Sequence, residues 1–337
     1  MNFASLPIIQ APMAGSQDAA LALAVSNAGG LGSLPAAMLS SAALREQLSA
    51  IRMQTTAQYN VNFFCHRNPT LDVQREQSWL ASLAHYYAEL GIAAVVANAP
   101  ARVPFDAAAL EVLRAFRPPV VSFHFGLPEP VLLSQVKQFA KVLSSATTVA
   151  EARWLEAHGV DAVIAQGVEA GGHRGMFLSS DLSTQAGTLA LVPQVVRAVR
   201  VPVIAAGGIA DRHGVAAALA LGAIAAQVGT AYLLCPEART SSVHREALRS
   251  DAAIHTTLTN LFTGRPARAI VNRLMRERGP LAADAPEFPL AASALVLLRA
   301  RAESLGSGDF SPLWAGQNVS GCREVPGAQL TRELAGA

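Results

Sequence analysis

From the N-terminus to about residue 232, short continuous apolar runs alternate with longer segments of helical periodicity. The runs are Pro7–Met13, Gly30–Leu34, Tyr59–Phe64, Val120–Phe125, Lys141–Ser145, Ala162–Gln166, Pro202–Ala206 and Ala225–Tyr232. Runs of this kind, bounded by turn residues, suit strands covered on both faces, as in a parallel sheet. Between them, Asp18–Asn27, Ser41–Met53, Asp106–Phe116, Val131–Ala140, Val149–His158 and Val192–Val199 read as helices. Eight strands in such alternation predict right-handed βαβ units closing into an α/β fold, a (β/α)8 TIM barrel. A ninth candidate strand, Ala93–Ala99, is Ala-rich and is followed by Pro100 and Pro104. With the helix-like Trp79–Leu90 it is assigned to an excursion between the third and fourth strands.

The pattern changes after Tyr232. Residues 236–292 carry Arg, Thr and Pro punctuation without a strand signal. They predict a small helical substrate or lid domain beside the barrel mouth. Leu290–Ala302 reads as an apolar helix returning to the barrel. The expected division is therefore a barrel over residues 1–235, completed by 293–337, with the helical domain over 236–292.

Composition narrows the possible partners. The chain has 337 residues, enough for a barrel plus an appended unit. Its longest apolar stretch, Gly214–Ala226, falls short of the ~20 residues that a membrane span needs, so no membrane partner is expected. The N-terminus shows no basic region followed by an apolar segment, so no secretion signal is read. Cys65, Cys235 and Cys322 are odd in number and far apart, which argues against a disulfide framework or zinc site and suits a cytoplasmic protein. Net charge is +2 with signs interspersed, which leaves nucleic acid no electrostatic footprint. A monomer or homodimer is expected.

In such barrels functional groups gather at the C-terminal ends of the strands. Glycines cluster there. Gly207-Gly208 after the seventh strand and Gly229-Thr230 after the eighth place small residues where backbone N–H groups could approach a phosphate. One such pair alone would be read as a tight turn; two pairs after consecutive strands favour phosphate binding. The sixth strand leads into Gln166-Gly-Val-Glu-Ala-Gly171-Gly172-His173-Arg174-Gly175. A histidine between glycines is poorly placed for core packing, and a neutral imidazole there could take a proton from a carbon acid near pH 7. His124, in Ser122-Phe-His-Phe-Gly126, is its main rival and, with Ser122 and Met13, a substrate-pocket candidate. His158, before Gly159, reads as a partner of a helix C-terminus. No histidine pair has metal-ligand spacing with a carboxylate, so no metal is expected. Gln10-Ala11-Pro12-Met13-Ala14-Gly15 ends the first strand in a loop able to lie against a planar ring, although Met13 could equally be core. Asn62, a buried-strand amide, needs either protein partners or a ligand.

These segments, together with Gln227-Val228-Gly229-Thr230 and the late Trp314-Ala-Gly-Gln317, resemble the motifs of class I nitronate monooxygenases, formerly 2-nitropropane dioxygenases. The match runs in order over most of the chain. The resemblance implies a flavoprotein with tightly held FMN and no metal. By that resemblance the flavin would contact the backbone at Ala11, Pro12 and Met13, the side chains of Asn62 and Gln166, and the amides of Gly171 and Gly172. Gly207, Gly208, Gln227, Val228, Gly229 and Thr230 would hold its phosphate end, with Gln317 nearby. His173 corresponds to the family's catalytic base. The implied reaction is oxidation of an alkyl nitronate, of propionate 3-nitronate type, by O2 to a carbonyl compound and nitrite, a nitroalkane detoxification.

Alternatives are a flavin reductase of the same superfamily using NADH on an enoyl thioester or a quinone, a flavin-free lyase or isomerase of a phosphorylated substrate, and a flavin-binding protein without turnover. The enoyl reductases usually carry Glu where this chain has Gln166 and lack the Ser-Phe-His-Phe-Gly-Leu-Pro segment.

Overall fold

A computed structural model describes residues 3–97, 99 and 102–337. The chain contributes β1 (Ile8–Gln10), β2 (Gly32–Pro35), β3 (Tyr59–Phe64), β4 (Val120–His124), β5 (Lys141–Ala146) and β6 (Ala162–Gln166). It continues through a two-residue β7 (Gly172–His173), β8 (Val203–Ala206), β9 (Ala225–Val228), β10 (Thr256–Thr259) and β11 (Ala267–Ile270). Eight of these form one parallel sheet in the order β1-β9-β8-β6-β5-β4-β3-β2. A parallel bridge between Ile9 and Leu31 joins the two ends, so the sheet closes into a (β/α)8 barrel.

Each barrel strand is buried on both faces, and the two faces feed different cores. Ile9, Leu31, Val120, Leu143, Ile164 and Ile204 belong to a small interior cluster. Their neighbours along the strands, such as Ile8, Val121, Val142, Val163 and Ala205, join the large cluster that includes residues of the surrounding helices. This double coverage explains the unbroken apolar runs of the sequence. Helix starts are set by polar caps: Asp18, Ser40, Asp106, Thr148 and Asp211 each accept a backbone N–H from the first turn. His158 stacks on Trp154 and bonds its carbonyl at 2.7 Å, at the end of helix Val149–Ala157.

The residues described within Ala93–Ala99 form no strand, and Asn98 lies outside the described residues. One expectation needs correction. Residues 236–292 are not wholly helical, because β10 and β11 pair antiparallel and β11 pairs with β7. The excursion packs with this region. Trp79, Leu83, Tyr86 and Tyr87 are buried in one cluster with Leu261, Phe262, Leu274, Leu298 and Phe310. One cap is thus built from two stretches of chain more than 150 residues apart. Among the described residues, no helix is long and apolar enough to cross a membrane.

Candidate active site

The C-terminal ends of the barrel strands open into a cavity of about 1320 Å3, counting its mouth. Ala11, Pro12 and Met13 line it beyond β1, Asn62 from β3, Ser122 and His124 from β4, and Gln166 from β6. Gly171, Gly172 and His173 add the loop after β6, while Gly207, Gly208, Gln227, Gly229 and Thr230 close the circle from β8 and β9.

One end of the cavity is largely backbone. Gly207 and Gly208 have φ of +117° and +70°, conformations that favour glycine, and this turns the chain at the end of β8. A Cβ on Gly207 would stand 2.8 Å from Thr188 Oγ1, and one on Gly208 would stand 3.2 Å from Glu169 Cβ. The segment Trp314–Asn318 straps this end: Gln317 N–H donates to Glu169 O at 2.9 Å, Gly316 N–H to Thr230 Oγ1 at 2.9 Å, and Asn318 Nδ2 to Gly208 O at 3.1 Å. Gly171 meets that strap so closely that a Cβ would fall 2.5 Å from Gly316 N. Among the described residues, Gln227 Oε1 is buried without a hydrogen-bond partner. An acceptor left in that state costs about 1–3 kcal/mol.

The loops are held from beneath by buried polar side chains. Gln10 and Gln17 bond each other at 2.6 Å, and Gln17 Oε1 also receives Met13 N–H at 3.0 Å, which fixes the loop after β1. Arg174 is fully buried and donates to the carbonyls of Gln166 and Gly167, both at 2.7 Å. Gln166 in turn accepts Gly175 N–H at 2.7 Å and donates to His173 O at 3.0 Å. Its acceptor and one donor are therefore committed to holding the loop. Asn62 gives its Nδ2 to Ser122 O and Oγ, leaving Oδ1 as the group it can offer.

The opposite end is made of rings. His173 lies 5.3 Å from both Trp314 and Phe288, 6.0 Å from Phe125 and 6.2 Å from Phe64, measured between ring centroids. Phe125 takes φ of +71°, a rare conformation for a bulky residue, with the Arg265 guanidinium 4.0 Å from its ring. Pairing of β7 with β11 places Ala267 opposite His173. His173 Nε2 meets Thr263 Oγ1 at 2.8 Å, and among the described residues Nδ1 has no partner.

The two candidate histidines can now be told apart. His124 Nε2 contacts His173 O at 3.1 Å, and a carbonyl only accepts, so Nε2 carries the hydrogen. Its Nδ1 then accepts from Ser145 Oγ at 3.0 Å. Both nitrogens of His124 are committed, and burial holds it down to about 3. The pKa of His173 is also held well below the usual imidazole value, by burial first and then by Arg102, His124, Arg265 and His66. It is therefore neutral near pH 7 and keeps one nitrogen free, as a base requires.

Of the residues expected from sequence, Val228 and Gln317 are not at the cavity. Val228 is buried in the core around the barrel, and Gln317 is exposed while its neighbours Gly316 and Asn318 face inward. Sequence reading passed over Thr263, Asn318, Arg102 and Ser145. For Ser145, its place at the end of a predicted strand was an available signal.

A family model described as nitronate monooxygenase matches residues 2–336. A nitronate monooxygenase of Pseudomonas aeruginosa is 43% identical over 97% of this chain and 95% of its own length. One from Paraburkholderia phytofirmans is 42% identical over 97% and 91%. Among solved structures, a nitroalkane oxidase from Streptomyces ansochromogenes superposes with a TM-score of 0.90 at 40% identity, covering 99% of this chain and 96% of that one. FabK from Thermotoga maritima is more distant, with a TM-score of 0.73 at 29% identity, covering 98% and 92%.

Proposed function

Since the chain belongs to the nitronate monooxygenase family, we propose that it oxidises alkyl nitronates with O2, using FMN as its flavin and His173 as the base for neutral nitroalkanes. The family is flavin-dependent. Fit to FMN rests on the glycine turn at Gly207-Gly208, the neighbouring Gly229 and Thr230, and the unpartnered Gln227 Oε1. The turns would take the phosphate through backbone N–H groups. Ala11, Pro12 and Met13, with Asn62, Gln166, Gly171 and Gly172, would flank the ring system. FMN supplies the electron transfer from nitronate to O2.

The remaining chemistry belongs to the protein. A nitronate is already a carbanion equivalent and needs no base. A neutral nitroalkane must first lose its α-proton, which passes to the free Nδ1 of His173. The role needs Nε2–H to donate to Thr263 Oγ1, whose own hydrogen can turn to Arg265 O at 3.5 Å; this is the tautomer that leaves Nδ1 free. The aromatic wall of Phe64, Phe125, Phe288 and Trp314 limits water around the imidazole. In the overall change, two nitronates and one O2 give two carbonyl compounds and two nitrite ions, so atoms and charge balance. A reducing cytoplasm suits the three unpaired cysteines.

The single observation carrying this reading is the His173 imidazole, its Nδ1 unpartnered among the described residues, facing the same cavity as the glycine turns. The test is an absorbance spectrum of the purified protein followed by a nitrite assay with propionate 3-nitronate. Yellow protein that releases nitrite supports the reading. Colourless protein, or flavin rapidly bleached by NADH under anaerobic conditions without nitrite formation from the nitronate, contradicts it.

A further inference from the structure

Among the described residues lining the cavity, Arg102 is the one Asp, Glu, Lys or Arg side chain. It reaches the cavity from the excursion between β3 and β4, which is tied back where Phe105 N–H donates to Phe64 O at 2.8 Å. Arg102 Nη1 is buried and, among the described residues, meets no acceptor. The other arginines around the site are committed: Arg174, Arg265 and Arg268 all donate to backbone carbonyls. A buried guanidinium nitrogen without an acceptor is costly, so the chemistry of this corner suits an anion or a carbonyl oxygen.

The permanent charges facing that corner have one sign. Among the groups that depress His173, Arg102 comes ahead of His124, Arg265 and His66; the two arginines are the cations, the two imidazoles are neutral near pH 7, and no carboxylate stands among them. The same holds around Arg102, whose one charged influence is Arg299. A planar anion with two oxygens matches the planar fork of a guanidinium.

We propose that Arg102 seats the nitro group of the substrate, its guanidinium taking the two oxygens on which negative charge collects as His173 removes the α-proton. The identity of the substrate rests on the proposed function, whereas the anion seat rests on the surroundings of Arg102. In this step the C–H electron pair moves into a C=N bond, the nitro oxygens take the charge, and the proton goes to the imidazole. No electrons leave the substrate. The seat favours a nitronate over the neutral nitroalkane and raises the acidity of the bound nitroalkane. It also makes Arg102 a specificity residue for anions of this shape.

The test titrates nitrate, an unreactive planar oxyanion, into flavin-loaded wild type, Arg102→Gln and Arg102→Lys, following flavin absorbance and tryptophan emission. Arg102→Gln is expected to weaken nitrate binding at least ten-fold, and Arg102→Lys to recover part of the loss. Flavin content and the thermal midpoint serve as the check on folding. In turnover, Arg102→Gln should raise KM for ethyl nitronate more than it lowers kcat. Loss of this positive neighbour should also move the acidic limb of nitroalkane turnover to higher pH, which a purely structural role would not do. Nitrate binding unchanged in Arg102→Gln overturns the proposal. Wild-type protein that binds nitrate through Arg102 yet releases no nitrite from nitronates supports the anion seat and overturns the reading of function.

Discussion

The two ends of the cavity are built by opposite means. At one end, glycine turns after β8 and β9 expose backbone, and among the described residues no Asp, Glu, Lys or Arg side chain lines the wall. At the other, rings and a buried guanidinium converge from the excursion, the loop after β6, the β10–β11 region and the C-terminal strap. The first arrangement needs only that side chains be missing, and it offers a phosphate N–H groups whatever is attached to it. The second needs several distant segments to meet, and under the proposed function it sets which substrate is accepted and how its proton is handled. That function therefore makes binding of the cofactor and choice of substrate separable.

That separation can be broken at either end. The largest expected effect is at the imidazole: His173→Asn should lower turnover of a neutral nitroalkane by about 10²–10⁴-fold, the usual worth of a positioned base. Flavin content should stay near the wild-type level. In the wild type, His173 must be neutral to act, and its pKa lies below the ordinary 6.5. Nitroalkane turnover should therefore be level near neutral pH and fall only as pH drops through that depressed value; a midpoint above 6.5 would contradict the assignment. Arg174→Met should remove the donors of two buried carbonyls and lower the unfolding free energy by about 2–4 kcal/mol, read by denaturant titration. Gly207→Val forces a branched residue into φ of +117°, a strain of about 1–3 kcal/mol that should weaken flavin retention roughly 5- to 150-fold. The fold should survive, and nitrite formation should return with excess FMN. The smallest effect is expected from Thr263→Val, which frees one imidazole nitrogen: about 1 kcal/mol, seen as a several-fold loss with nitroalkane and almost none with preformed nitronate.

The same contrast decides what the sequence could disclose. Barrel strands buried on both faces leave continuous apolar runs, and Tyr59–Phe64 and Ala162–Gln166 were legible to the residue. Glycine pairs at strand ends were legible for a similar reason, since their meaning is local. Strands β10 and β11 were not. Thr256-Thr-Leu-Thr259 is half-buried and polar, and Ala267-Arg-Ala-Ile270 carries a buried arginine, so neither shows a strand pattern until they pair with each other and with β7. Arg102 and Thr263 acquire meaning only from residues far away in sequence, and no periodicity marks a single polar residue on a loop. Val228 is a different case. Alternation along β9 puts Gln227 and Gly229 at the cavity and Val228 in the surrounding core, an inference the period of two already permitted.

The most direct measurement is a crystal structure of the flavin-loaded protein soaked with nitrate. The account predicts phosphate density at the Gly207-Gly208 and Gly229-Thr230 turns, the isoalloxazine ring on the side of His173, and nitrate between that ring and Arg102. Phosphate density away from those turns, or a ring facing away from the imidazole, would contradict it.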